Sequence, residues 1–194
     1  MHKENKFYFL ILVIFFPYFN LFALFCIFSD PYTNLMEKLF FGNGLFLLLI
    51  IIVLYIIALI FSVFISIRCI LLKVNSQNIL RINLIIKLIH IPAYTIIFFI
   101  GLASLITIFT MGISIVLIIL DGLTIFMTGL LGLAGIIRGV TEKKITKGNA
   151  IMYSIFQFVF CADILSSILI YRKVKKENGI IKKTKRGLQI DEKE

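Results

Sequence analysis

Between Ile91 and Ile137 the chain runs for 47 residues with a single formal charge, Asp121. One continuous helix of that length would extend about 70 Å at a rise of about 1.5 Å per residue, more than twice the roughly 30 Å hydrocarbon thickness of a bilayer. The stretch has to turn back on itself, and it has to do so in lipid. Of the 194 residues 60% are hydrophobic and the mean hydropathy is +1.05, whereas an average soluble domain is about 45–50% apolar. The expected fold class is an all-α polytopic transmembrane helix bundle of four to five apolar segments, with a helical hairpin at 91–137.

Two turns compete within that stretch. Asp121-Gly122 is a strong local turn dipeptide but leaves helices of unequal length. Thr110-Met111-Gly112 divides the run more evenly. At about 100° per residue, Ser114, Asp121, Thr124, Thr128, Gly132, Gly135 and Arg138 then fall in one sector of about 120°. A stripe that stays in phase this long argues for an unbroken helix, so Asp121 is expected inside the membrane.

The flanks follow the same logic. Lys3 and Lys6 precede an apolar run from Phe7 to Phe28 that is too long, at 22 residues, for a signal-peptide core of about 7–15. It reads as an uncleaved first span with a cytoplasmic N-terminus, kinked by Pro17 and Asn20. Ser29-Asp30-Pro31 is a helix-start signal for a short interfacial helix that Gly42-Asn43-Gly44 closes. Gly44 to Ile67 is the cleanest span, with anchoring as its expected role. Arg68, Lys73, Arg81 and Lys87, spaced among Leu and Ile up to His90, suit a helix lying in the cytoplasmic headgroup layer. His90 itself is open to a pH-sensing or a structural reading. Thr141–Asn149 reads as a polar loop and Ala150–Tyr171 as a last apolar segment. In that segment Ser154, Gln157 and Cys161 share one side while Asp163, Ser166 and Ser167 share another, as expected of a helix surrounded by protein. Residues 1–176 are expected to form a single integral membrane domain and 177–194 a basic, disordered tail.

The 20 Lys and Arg against 10 Asp and Glu sit in short segments beside the spans, which is a positive-inside signal and not a nucleic-acid surface. Topology turns on the last segment. If Ala150–Tyr171 crosses, the basic residues divide ten inside and ten outside; if it re-enters from the inner side, nineteen against one. Crossing the central stretch only once gives fifteen against five. Charge counting favours re-entry, whereas segment length favours crossing.

A charged side chain at the bilayer centre costs at least about 2.5–3.5 kcal/mol, which singles out Asp121 and Asp163. In a functional reading they form a candidate intramembrane polar site for a proton or small cation, with Thr124, Thr128, Ser166 and Ser167 as neutral oxygen donors. In a structural reading each carboxyl is protonated or bonded to a neighbouring helix and fixes packing. Gly129, Gly132, Gly135 and Gly139 are helix-packing positions. Cys26, Cys69 and Cys161 stand far apart, and the only histidines are His2 and His90. No HExxH, GxSxG or P-loop occurs. The expectation is therefore a protein that is not an enzyme and uses no metal and no cofactor. Its partners are the lipid bilayer and another membrane protein or a second copy of the chain, with no nucleic acid.

Three stretches carry a family likeness. They are Lys87-Leu-Ile-His-Ile-Pro-Ala-Tyr94, the run from Ile113 to Asp121 with Leu123–Phe126 and Thr128–Gly132, and Phe156-Gln-Phe-Val-Phe-Cys-Ala-Asp163 leading to Tyr171–Lys175. Together they resemble an uncharacterised family of small multi-pass membrane proteins from low-GC Gram-positive bacteria, over roughly residues 44–176. The resemblance implies a bacterial cytoplasmic membrane and no particular mechanism. Two functions are expected: a non-enzymatic accessory, protective (immunity-like) or regulatory partner of another membrane component, or a small transporter or ion pathway using Asp121 and Asp163.

Overall fold

A computed structural model describes residues 8–28, 33–106, 108 and 110–191. The Ser29-Asp30-Pro31 start signal lies outside them. The described chain is all-α, with seven helices: α1 (Tyr8–Phe28), α2 (Thr33–Phe40), α3 (Gly44–Leu71), α4 (Ser76–Ser104), α5 (Met111–Thr141), α6 (Lys147–Phe156) and α7 (Ala162–Asp191). Among the described residues α3, α4 and α5 are long and apolar enough to cross a membrane, and Val13–Cys26 is a shorter apolar stretch.

On each of α3, α4 and α5 polar side chains are buried while large apolar ones are exposed. On α3, Tyr55, Ala58, Ser62 and Ser66 are buried while Leu45, Leu49, Ile56 and Ile60 are exposed. Sequence reading assigned this span only anchoring, yet its inner face carries hydroxyls seven and four residues apart. On α4, Ser76, Asn83, Lys87, His90 and Tyr94 are buried while Ile85, Leu88 and Ile89 face outward. Residues 76–90 are thus the first half of a long helix and not a separate one lying in the headgroup layer. Their polar groups recur at intervals of three, four and seven, which aligns them on one side. The α5 stripe also faces inward, Ser114, Asp121, Thr124, Thr128 and Arg138 all being buried.

The chain divides into two compact units, one drawn from Met1–Phe64 and Leu88–Met127, the other from Ile65–Lys87 and Thr128–Glu194. In the first, Leu21, Ala93, Ile97 and Leu117 make the core that joins α1, α4 and α5. Ser114 Oγ donates to the Gly101 carbonyl at 2.7 Å, so α4 and α5 run antiparallel as a hairpin. The break between them falls at residues 105–110, slightly earlier than Thr110–Gly112, and Asp121 lies well within α5.

In the second unit Leu80, Ile136, Ile145, Ala150, Ile170 and Val174 form the core. The expected apolar segment Ala150–Tyr171 is not one helix. It breaks after Phe156 and restarts at Ala162, with Cys161 at φ 62°, and α6 folds back against α7. The break brings Gln157 of one polar side onto Ser166 and Ser167 of the other, while Cys161 is exposed. The backbone of α7 continues to Asp191, past the point where composition suggested an irregular tail; its Lys, Arg, Gln and Leu are good helix formers. α3 and α5 both end with a lysine in left-handed backbone, Lys73 at φ 51° and Lys143 at φ 58°. Val74 N–H donates to the Cys69 carbonyl and Lys144 N–H to that of Gly139, closing each terminus as a Schellman motif.

Gly135 of α5 sits against α4: a Cβ there would lie 2.7 Å from Leu80 Cδ2 and 2.8 Å from Leu80 Cγ, whereas one at Gly122 meets nothing within 4 Å. Gly135→Ala is expected to destabilise the folded protein by about 1–3 kcal/mol through overpacking. Gly122→Ala should be neutral or gain up to about 1 kcal/mol from helix propensity. Thermal unfolding of both variants in detergent checks the contrast, and equal losses would contradict this packing.

Candidate functional site

The second unit holds a polar cluster in which no side chain reaches solvent. Lys87 projects from the inner face of α4, Asp163 from the first turn of α7, and Gln157 from the C-cap of α6. Lys87 Nζ lies 3.2 Å from Asp163 Oδ2, donates to Gln157 Oε1 at 2.7 Å, and reaches the Asp163 carbonyl at 3.4 Å. All three ammonium protons thus have acceptors. Asn83, one turn before Lys87, donates from Nδ2 to Gln157 Oε1 and Ser167 Oγ, each at 3.3 Å. Gln157 Nε2 donates to Ser166 Oγ at 3.3 Å and Ser167 Oγ at 3.1 Å, and Ser166 Oγ to the Tyr153 carbonyl. Asp163 also suits its place on the backbone, since a carboxylate in the first turn meets the positive end of the helix dipole.

Two α5 glycines leave room for this arrangement. A Cβ at Gly132 would collide with the Gln157 amide and with Asn83 Nδ2, and one at Gly129 with the Phe158 ring. Gly139 is backed by Ile145 in the same way. The four helix-packing glycines therefore stand where side chains of α4, of the α6–α7 break, or of the loop before α6 approach α5.

The sequence-derived site residues are divided between the two units. Thr128, Asp163, Ser166 and Ser167 belong to the second unit, Asp121 and Thr124 to the first. Asp163 is partnered by Lys87. Sequence reasoning missed Lys87 and Asn83, which had been placed among headgroups. The signal was present, because Asn83, Lys87, His90 and Tyr94 are spaced to share one face, but an inward lysine is recognisable only once its carboxylate is found.

In the first unit the hub is Tyr55. Asn20 Nδ2 donates to its hydroxyl at 2.7 Å, and the hydroxyl lies 3.2 Å from the Leu120 carbonyl and 3.0 Å from Thr124 Oγ1. The Tyr55 ring packs on Phe16 at a centroid distance of 4.3 Å. His90 Nε2 is 3.1 Å from the Val13 carbonyl, a bond joining α4 to α1.

A third set closes the end of α5. Glu142 accepts from Ser76 N–H at 3.1 Å and Ser76 Oγ at 2.6 Å, from Arg138 Nη2 at 3.1 Å, and from Lys144 Nζ. Arg138 Nε donates to the Val74 carbonyl. Burial alone would raise the Glu142 pKa, but the Lys144 ammonium and the two Ser76 donors outweigh it and hold the carboxyl below its ordinary value.

Among the described residues no three His, Cys, Asp or Glu side chains converge as a metal site would require. The Lys87–Asp163 cluster is neutral overall, and its ammonium is saturated. Its chemistry is that of a fastener between α4, α6 and α7. Comparison of the chain with protein-family models, curated proteins and solved structures gave no match.

Lys87→Met leaves the Asp163 carboxylate buried alone and is expected to cost about 3–5 kcal/mol, whereas adding Asp163→Leu should recover most of that loss. A double-mutant cycle on unfolding in detergent measures the coupling, and additive losses would contradict the pair. Glu142, with its folded pKa depressed, contributes stability above the ordinary glutamate range, and this is lost as pH falls through the folded value. Melting temperature followed from pH 7 downward should decline more steeply for the wild type than for Glu142→Gln.

Proposed function

We propose that this protein is a non-enzymatic, multi-pass helix bundle of a bacterial cytoplasmic membrane, serving as an accessory, protective (immunity-like) or regulatory partner of another membrane component. The observation that carries the reading is the mutual neutralisation of Lys87 and Asp163. The charged groups deepest in the second unit bond one another and their Gln, Asn and Ser neighbours, as expected of groups that hold helices in place. Resemblance over residues 44–176 supplies the low-GC Gram-positive setting.

The topology that fits best has a cytoplasmic N-terminus and a last segment that re-enters without crossing. Two observations support it. α6 has 10 residues, about 15 Å of helix, too short to span, and it folds back on α7. In this scheme nineteen of the 20 Lys and Arg, all but Lys38, lie in segments on the cytoplasmic side, as the positive-inside rule favours.

A second reading, a small transporter or ion pathway, is favoured by one observation: Asp121 Oδ1 is buried without a hydrogen-bond partner. Proteoliposomes separate the two. No proton or cation flux is expected from the wild type, and flux lost in Asp121→Asn would overturn the accessory reading. Reporter fusions at residue 145 and at the C-terminus are both expected on the cytoplasmic side, an external C-terminus overturning the re-entrant scheme. The protective version predicts that cells carrying the protein survive a toxin encoded beside it, and unchanged sensitivity would dismiss that version.

A further inference from the structure

Counting protons around Tyr55 leaves two oxygens without one. The Asn20 amide donates to the Tyr55 hydroxyl; Tyr55 and Thr124 direct their own protons toward the Leu120 carbonyl or each other. Asn20 Oδ1 and Asp121 Oδ1 are both withdrawn from solvent and have no donor. Asn20 is 2% exposed and Asp121 9%. They belong to the same locality. Asn20 is held on Tyr55, while Asp121 directly follows Leu120, whose carbonyl lies 3.2 Å from the Tyr55 hydroxyl, and shares a face of α5 with Thr124, whose Oγ1 lies 3.0 Å from it. A buried acceptor without a donor costs about 1–3 kcal/mol, and more when it is charged. Two such acceptors beside a tyrosine and a threonine oxygen make a setting that lacks only positive charge.

We propose that the Asp121 carboxylate, Asn20 Oδ1, the Tyr55 hydroxyl and Thr124 Oγ1 form a buried all-oxygen site for one small monovalent cation, with Na+ as the best fit. One carboxylate among neutral oxygens balances a single positive charge and would leave a divalent ion half neutralised. Hard cations prefer oxygen ligands, and no cysteine or imidazole takes part. The site goes beyond the accessory reading and requires no net transport, because a bound cation can tie α1 and α3 to α5 through Asn20, Tyr55 and Asp121.

The test uses the full-length protein in detergent at fixed pH and ionic strength, with choline chloride replaced stepwise by NaCl, LiCl or KCl. Na+ is expected to raise the melting temperature saturably, by about 5–10 °C at a hundredfold excess over Kd. Asp121→Asn and Asn20→Leu should abolish the sodium dependence. No difference between sodium and choline, or a shift that persists in Asp121→Asn, would overturn the proposal. A rise produced equally by lowering the pH in choline would also overturn it, since the carboxyl then holds a proton instead. If either variant fails to purify, equilibrium binding of radioactive Na+ to the wild type decides. One ion per chain that unlabelled Na+ displaces and choline does not supports the site, and no saturable binding overturns it.

Discussion

A lysine ammonium and an aspartate carboxylate withdrawn from water must find each other, and the second unit is arranged around that requirement. Stripping both ions of solvent costs several kcal/mol apiece, which their attraction offsets only when the remaining protons and lone pairs are satisfied. Lys87 meets the condition with three acceptors. To supply them the chain breaks between α6 and α7, so that Gln157 at the end of one helix and Asp163 at the start of the next approach the same ammonium. α5 passes close by because Gly129 and Gly132 carry no side chain. Helix break, glycine positions and polar face of α4 are three consequences of one pair.

The first unit uses polar groups differently. Its inner hydroxyls and amides are neutral, Asp121 is its buried acid, and its tyrosine hub directs the hydroxyl protons of Tyr55 and Thr124 onto oxygens already at hand. The contrast is chemical: the second unit balances a carboxylate with its own lysine, whereas the first holds a carboxylate in a locality of acceptors. Asp121 and Asp163 look alike in the sequence, two acids in apolar runs, and their surroundings make them unlike.

The burial of polar groups in helices that expose large apolar side chains also explains which residues could be read from the sequence. The α5 stripe was legible because Ser114, Asp121, Thr124 and Thr128 are conspicuous in a run otherwise free of polar groups. The α3 face was not, since Tyr55 and two serines look incidental beside long aliphatic residues. On α4 the one arginine and the one lysine resembled headgroup anchors. Arg81 is exposed and Lys87 is buried six residues later, a distinction that depends on which side of the helix each one occupies.

Composition and periodicity alone determined that the chain is a membrane helix bundle, that residues 91–137 fold back on themselves, and that Asp121 lies within a helix, because hydropathy and the helical repeat are local properties of the sequence. The break in the last apolar segment, the choice of Lys87 as the partner of Asp163, and the gathering of Asn20, Tyr55 and Thr124 about α5 belong to the tertiary structure. Each joins residues dozens of positions apart, and the free energy that selects them is the cost of leaving a buried polar group unpaired, which exists only once the helices have packed.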